Sequence, residues 1–126
     1  MKVAALFLAV AALAGCGSDA ASQDPRYDVT ISYWPAGRGG EPRSATLQCD
    51  PDGGSHPAVA AACDALLQHE DALQPVAGDV ACTEIYGGPE LATISGPNVH
   101  ATLSRRNGCE IARWDALAPV VELPAS

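Results

Sequence analysis

Lysine is nearly absent from this chain. The one lysine is Lys2, and the remaining basic residues are six arginines set against fifteen aspartates and glutamates, for a formal net charge of -8. No basic patch interleaved with aromatics is present, so binding to nucleic acid through the net field is excluded. No apolar run is long enough to span a bilayer as a helix, because the longest, Val3 to Ala14, falls well short of the necessary length. No C-x-x-C pair occurs, which removes the thiol-redox motif. No pair of cysteines or histidines has the short spacing of zinc ligands, so no metal is expected. No serine sits in a nucleophile elbow, and no glycine-rich phosphate loop precedes a helix. His56, His69 and His100 lie in unrelated contexts, and none is placed to activate a visible nucleophile. The chain therefore reads as a non-enzyme without a cofactor. Internal repeats are missing too, and 126 residues suit one compact domain.

What is present begins with an export signal. Residues 1–15 place Lys2 ahead of small and apolar residues and read as a secretory signal peptide. Leu13-Ala14-Gly15-Cys16 matches a bacterial lipobox, so Cys16 is the expected lipidation site. Residues 16–26 form the lipidated cysteine and a flexible tether rich in Gly, Ser, Ala and Asp. The expected location is the outer side of the cell membrane, or the medium if Cys16 is not modified.

The domain occupies residues 27–126. Tyr27, Val29, Ile31 and Tyr33 alternate with polar residues and predict a strand, as do Ala45, Leu47 and Cys49. Pro35 to Pro42 reads as the hairpin loop between them. Asp50-Pro51-Asp52-Gly53-Gly54 starts like a calcium loop, but the twelfth position is Ala61, so an ordinary turn is expected. Ser55 suits a helix cap, and a helix is predicted from His56 to about Leu73. Its stripe is Val59, Ala62, Cys63, Leu66 and Leu67. Short strands are expected at Leu91–Ile94 and Val99–Ser104, a short helix at Glu110–Leu117, and a closing strand at Val120–Leu123. The class is α+β: a five-stranded antiparallel sheet with one longer and one short helix.

With Cys16 set aside, Cys49, Cys63, Cys82 and Cys109 remain, an even number in a small exported chain. Three pairings are open, and sequence order makes Cys49–Cys63 with Cys82–Cys109 the simplest.

Leu47-Gln48-Cys49-Asp50-Pro51, Gly53-Gly54-Ser55-His56-Pro57 and Ala62-Cys63 resemble the Streptomyces subtilisin inhibitor-like family. So do Gly78-Asp79, Cys82-Thr83-Glu84-Ile85-Tyr86 with Pro89, and Asn107-Gly108-Cys109. The resemblance runs from about Tyr27 to Cys109. It implies a five-stranded sheet, two disulfides in the sequential pairing, and in many members a homodimer. It also implies inhibition of a secreted serine protease by a substrate-like reactive loop just after the third cysteine. Carried over by position, Glu84–Ile85 is the scissile bond, with Cys82, Thr83, Tyr86 and Gly87 flanking it. Asn107 matches an asparagine that supports the loop from beneath by hydrogen bonding. Glu84 stands where members commonly carry Lys or Met, which points to a subtilisin-like or glutamate-selective target. Gly87-Gly88 carries an apparent extra glycine, expected to soften the loop, and Arg105 replaces an aromatic. The contrasting expectation is a non-inhibitory lipoprotein binding module of the cell envelope on the same fold.

Overall fold

The computed structural model describes residues 24–125. The signal peptide, the lipobox and Cys16 lie outside the described residues. Among those described, no helix is long and apolar enough to cross a membrane.

Four strands form one antiparallel sheet: β1 (Tyr27–Trp34), β2 (Arg43–Cys49), β3 (Leu91–Gly96) and β4 (Val99–Ser104), in the order β2-β1-β3-β4. Two helices, α1 (Val59–Gln68) and α2 (Gly108–Val121), pack on one face, with a 3₁₀ turn at Glu70–Leu73. Alternation decides which face they cover. Val29, Ile31, Ala45, Leu47, Cys49, Ala92, Ile94, Ala101 and Leu103 point inward and are buried. The other face carries polar rows: Thr30, Ser95 and His100 are cross-strand neighbours, as are Ser32, Thr93 and Thr102.

Both disulfides are formed, Cys49–Cys63 and Cys82–Cys109. The first staples α1 to the end of β2 and is fully buried.

Three expectations are corrected. The fifth strand is not among the described residues. Val120 and Val121 instead finish α2, because Trp114, Leu117 and Val121 recur at helical spacing and all three are buried on the sheet. Pro119 lies inside α2 and has no amide to donate to the Asp115 carbonyl, so the last turn forgoes that bond. The helix expected to be short is thus the longer one, 14 residues against 10 for α1. Ser55 does not cap α1. Its hydroxyl accepts the Thr46 amide at 2.9 Å, and the Ser55 amide donates to the Thr46 hydroxyl at 3.0 Å. That reciprocal pair ties the turn back onto β2, and α1 starts later, after Ala58. The Asp50–Gly54 segment is a turn, as expected; Gly54 has φ +104, and a Cβ there would lie 2.5 Å from the Thr46 carbonyl oxygen.

His56 is buried between the two helices. Its Nδ1 accepts the Ala58 amide at 2.9 Å, which leaves Nε2 to donate to the Val120 carbonyl at 3.0 Å. Arg113 fastens the other side of α2. It donates to Ala72 O and Thr102 O and pairs with Glu110 at 2.9 Å. α2 is therefore held to β4, to α1 and to the 3₁₀ turn, which fixes where its N-terminus sits.

Candidate functional site

That N-terminus lies beneath an irregular segment. Residues 81–90 connect the helical layer to β3 without helix or strand of their own. The chain after β4, Arg105 to Cys109, runs under this segment in the opposite direction. Three rungs join the two. The Cys82–Cys109 disulfide is the first, with Cα atoms 5.3 Å apart. Next, the Gly108 amide donates to the Thr83 carbonyl at 2.9 Å. Last, the Gly87 amide donates to the Arg105 carbonyl at 2.6 Å, and Arg105 Nε donates back to the Gly87 carbonyl at 3.2 Å.

Between the second and third rungs, Glu84, Ile85 and Tyr86 bow outward into solvent. Ile85 is 62% exposed and Tyr86 67%. Burial of such side chains is normally favourable, so Ile85 and Tyr86 held out side by side on a braced loop form an exposed apolar patch. Val80, 52% exposed, is the third exposed large apolar residue among the described residues and lies just upstream. All three thus cluster on one stretch of chain.

Close packing explains the glycines here. A Cβ on Gly108 would run into the Thr83 hydroxyl and come within 3.3 Å of Thr83 Cβ. A Cβ on Gly87 would lie 2.8 Å from Ile111 Cδ1 and 3.1 Å from the Arg105 carbonyl oxygen. Gly88 has φ +137, and the Glu90 carboxylate lies where its side chain would project. The two adjacent glycines, expected to soften the loop, are instead required by it.

Asn107 has a different task from the one expected. Its Oδ1 accepts the Glu110 amide at 2.9 Å and caps α2. Capping orients the helix end, so the Gly108 amide points at the Thr83 carbonyl, and the positive end of the helix dipole favours that acceptor. Support through Asn107 is indirect, and the direct bonds come from Gly108 and Arg105. Arg105 was legible only as a departure from the family pattern. Its other neighbours are carboxylates: Nη1 donates to Asp115 Oδ1 at 3.3 Å, and Nε lies 3.9 Å from Glu90 Oε2, too far for a hydrogen bond.

Of the residues expected at the site, Cys82, Thr83, Glu84, Ile85, Tyr86, Gly87 and Cys109 come together in this one loop and its underlay. Cys49 and Cys63 lie in the core, away from it. Among the described residues no group of His, Cys, Asp and Glu could hold a metal ion.

The family described as subtilisin inhibitor-like matches residues 30–97, over half of the chain. The chain belongs to this family. The match takes in the sheet from Thr30, α1, the whole exposed loop and β3. It stops before β4 and α2, so it does not reach the underlay of this subtilisin inhibitor-like domain. No curated protein matches the chain.

Proposed function

We propose that this protein inhibits a secreted serine protease by presenting Cys82 to Gly87 as a substrate-like loop with Glu84–Ile85 as the scissile bond. Family membership supports protease inhibition in general terms. The observation that carries the specific reading is the outward bow of Glu84-Ile85-Tyr86 between braced ends.

Extended chain can add to an enzyme's cleft as an extra strand, with alternate side chains filling its pockets. A flexible peptide loses conformational freedom when it binds this way. A loop braced at Cys82, Thr83 and Gly87 has already lost most of it, so little further ordering is needed. The bracing also opposes separation of the ends after a cut. The protease then faces a product that stays in place and can be rejoined, and inhibition results without any catalytic group on this chain.

Glu84 sets the preference. An anionic side chain entering an apolar pocket without a partner is penalised. A glutamate-selective protease should therefore bind best. A broad-pocket subtilisin that leaves Glu84 in solvent should bind less well, and a trypsin-like enzyme with an acid in its pocket should be repelled. Lipidation at Cys16, with residues 16–26 as tether, would hold the inhibitor at the outer membrane surface, where exported proteases pass.

The test is the protein with Glu84→Lys and Glu84→Met, titrated against subtilisin, trypsin and a glutamyl endopeptidase. Glu84→Lys should gain trypsin inhibition, and Glu84→Met should tighten subtilisin inhibition by roughly 1–3 kcal/mol, the scale of a pocket contact. Absence of inhibition in every combination, with degradation at many bonds, would leave the cell-envelope binding module as the reading.

A further inference from the structure

The two ends of the loop are held by different means. Upstream of Glu84–Ile85 the hold is covalent, through Cys82–Cys109, with the Gly108-to-Thr83 bond beside it. Downstream, no disulfide lies between Ile85 and the start of β3 at Leu91. There the chain is held at Gly87, by the backbone carbonyl and the guanidinium of Arg105. The guanidinium also donates to Asp115 at 3.3 Å and lies 3.9 Å from the Glu90 carboxylate, and its side chain is 23% exposed. Ile111 packs against Gly87 from below.

We infer that Arg105 is the positioning residue that retains the downstream product end, keeping the new Ile85 amino group beside the Glu84 acyl carbon for rejoining. The inference rests on the inhibitory reading above. In the cut complex Glu84 is an ester on the protease serine. For resynthesis the Ile85 nitrogen attacks that carbonyl carbon and a C–N bond forms. The carbon–oxygen bond to the serine breaks, and the amine proton passes to the serine oxygen. Attack requires the amine within near-contact distance of the ester. Ile85 is two residues from Gly87, so a grip on Gly87 confines it, whereas release at Gly87 frees six residues back to Leu91. Beside the backbone bond from the Gly87 amide, the Arg105 side chain supplies a charged donor to that grip, and hydrogen bonds from charged donors are the stronger kind.

The experiment compares wild type, Arg105→Ala and Arg105→Lys. Each is incubated with a catalytic amount of the inhibited protease, from intact and from pre-cut protein, until the cut-to-intact ratio at Glu84–Ile85 stops changing. Mass spectrometry reads the ratio. Arg105→Ala should raise it on the order of ten- to a hundredfold, the scale of one charge-assisted hydrogen bond, with the thermal midpoint of the intact protein nearly unchanged. Arg105→Lys, which keeps the charge but not the planar fork, should fall between. An unchanged ratio overturns the inference. So does a shift that comes with a matching fall in thermal midpoint, because Arg105 would then be a general structural residue. Should the wild type not be cut at Glu84–Ile85, the inhibitory reading fails instead, and the grip itself is read from amide hydrogen exchange. Faster exchange at Tyr86 to Gly88 in Arg105→Ala, with α2 unaffected, upholds the grip; equal exchange in both proteins overturns it.

Discussion

Gly108→Ala separates loop positioning from stability, because the two should move in opposite directions. Gly108 opens α2, where alanine is intrinsically better than glycine by up to about 1 kcal/mol. The backbone there does not require a left-handed conformation, so the helix itself should gain or stay level. The added Cβ, however, meets Thr83, whose hydroxyl lies directly over it and whose Cβ would be 3.3 Å away. Rotating the threonine swings the hydroxyl aside but leaves the Cβ contact, so the loop must lift from its underlay. Overpacking of this kind costs roughly 1–3 kcal/mol. Here the strain falls on the loop, which should yield while the core does not. The lifted loop also weakens the Gly108-to-Thr83 bond next to Glu84. The expected result is a thermal midpoint equal to or above wild type, with inhibition weaker by about five- to a hundredfold. The assay pairs inhibitor titration with a thermal melt, and Thr83→Ala in the same protein should restore part of the inhibition by removing the hydroxyl. Full-strength inhibition by Gly108→Ala with Thr83 intact would refute the reasoning.

The second disulfide, the core, the lipobox and the uncovered sheet face each carry a further prediction. Replacing Cys82 and Cys109 by serine opens a 27-residue separation; chain-entropy arguments put the loss at about 3–4 kcal/mol, and the protein should turn from inhibitor to substrate, read by peptide mapping of the digest. Trp114→Ala empties the centre of the interface between α2 and the sheet, where Trp114 is fully buried; chemical denaturation should show a loss of about 3–5 kcal/mol. Cys16→Ala should release the protein to the medium or block its processing, and intact-mass analysis showing cleavage elsewhere with unmodified Cys16 would remove the anchor. Sedimentation tests the family homodimer: the uncovered sheet face carries polar Thr30, Ser32, Thr93, Ser95 and Thr102, with the half-buried Trp34–Leu91 pair at one end, so a face-to-face dimer has little beyond that pair as apolar area to bury, and a monomer at micromolar concentration is expected.

The strands of the sheet were readable because one face is buried and the other is not. β1, β2 and β4 lie within a residue of where alternation puts them, and β3 runs two residues further, to Gly96, through its turn. The C-terminal region was misread for an equally physical reason. Val120, Val121 and Leu123 form an apolar run with a proline before it, and such a run suits a buried strand as well as a helix end. The deciding signal was the longer spacing from Trp114 through Leu117 to Val121. Ser55 looked like a cap because a cap preference is local, whereas its actual partner, Thr46, lies on β2. At the candidate site the sequence pattern located the exposed residues, but the bonds beneath them cross between distant segments. Gly87 and Arg105, or Thr83 and Gly108, have no local signature that announces contact. Asn107 illustrates the same limit, since its neighbour Gly108 makes the loop contact while Asn107 caps the helix.

Where a protease cuts this protein tests the central claim most directly. The protein is incubated with a glutamyl endopeptidase at equimolar and at catalytic ratios, residual activity is followed, and the fragments are identified by mass spectrometry. The account predicts tight inhibition at equimolar ratio and, at catalytic ratio, slow accumulation of a single cut at Glu84–Ile85, with the fragments still joined by Cys82–Cys109. Full protease activity together with rapid cleavage at several bonds outside residues 82–87 would contradict it.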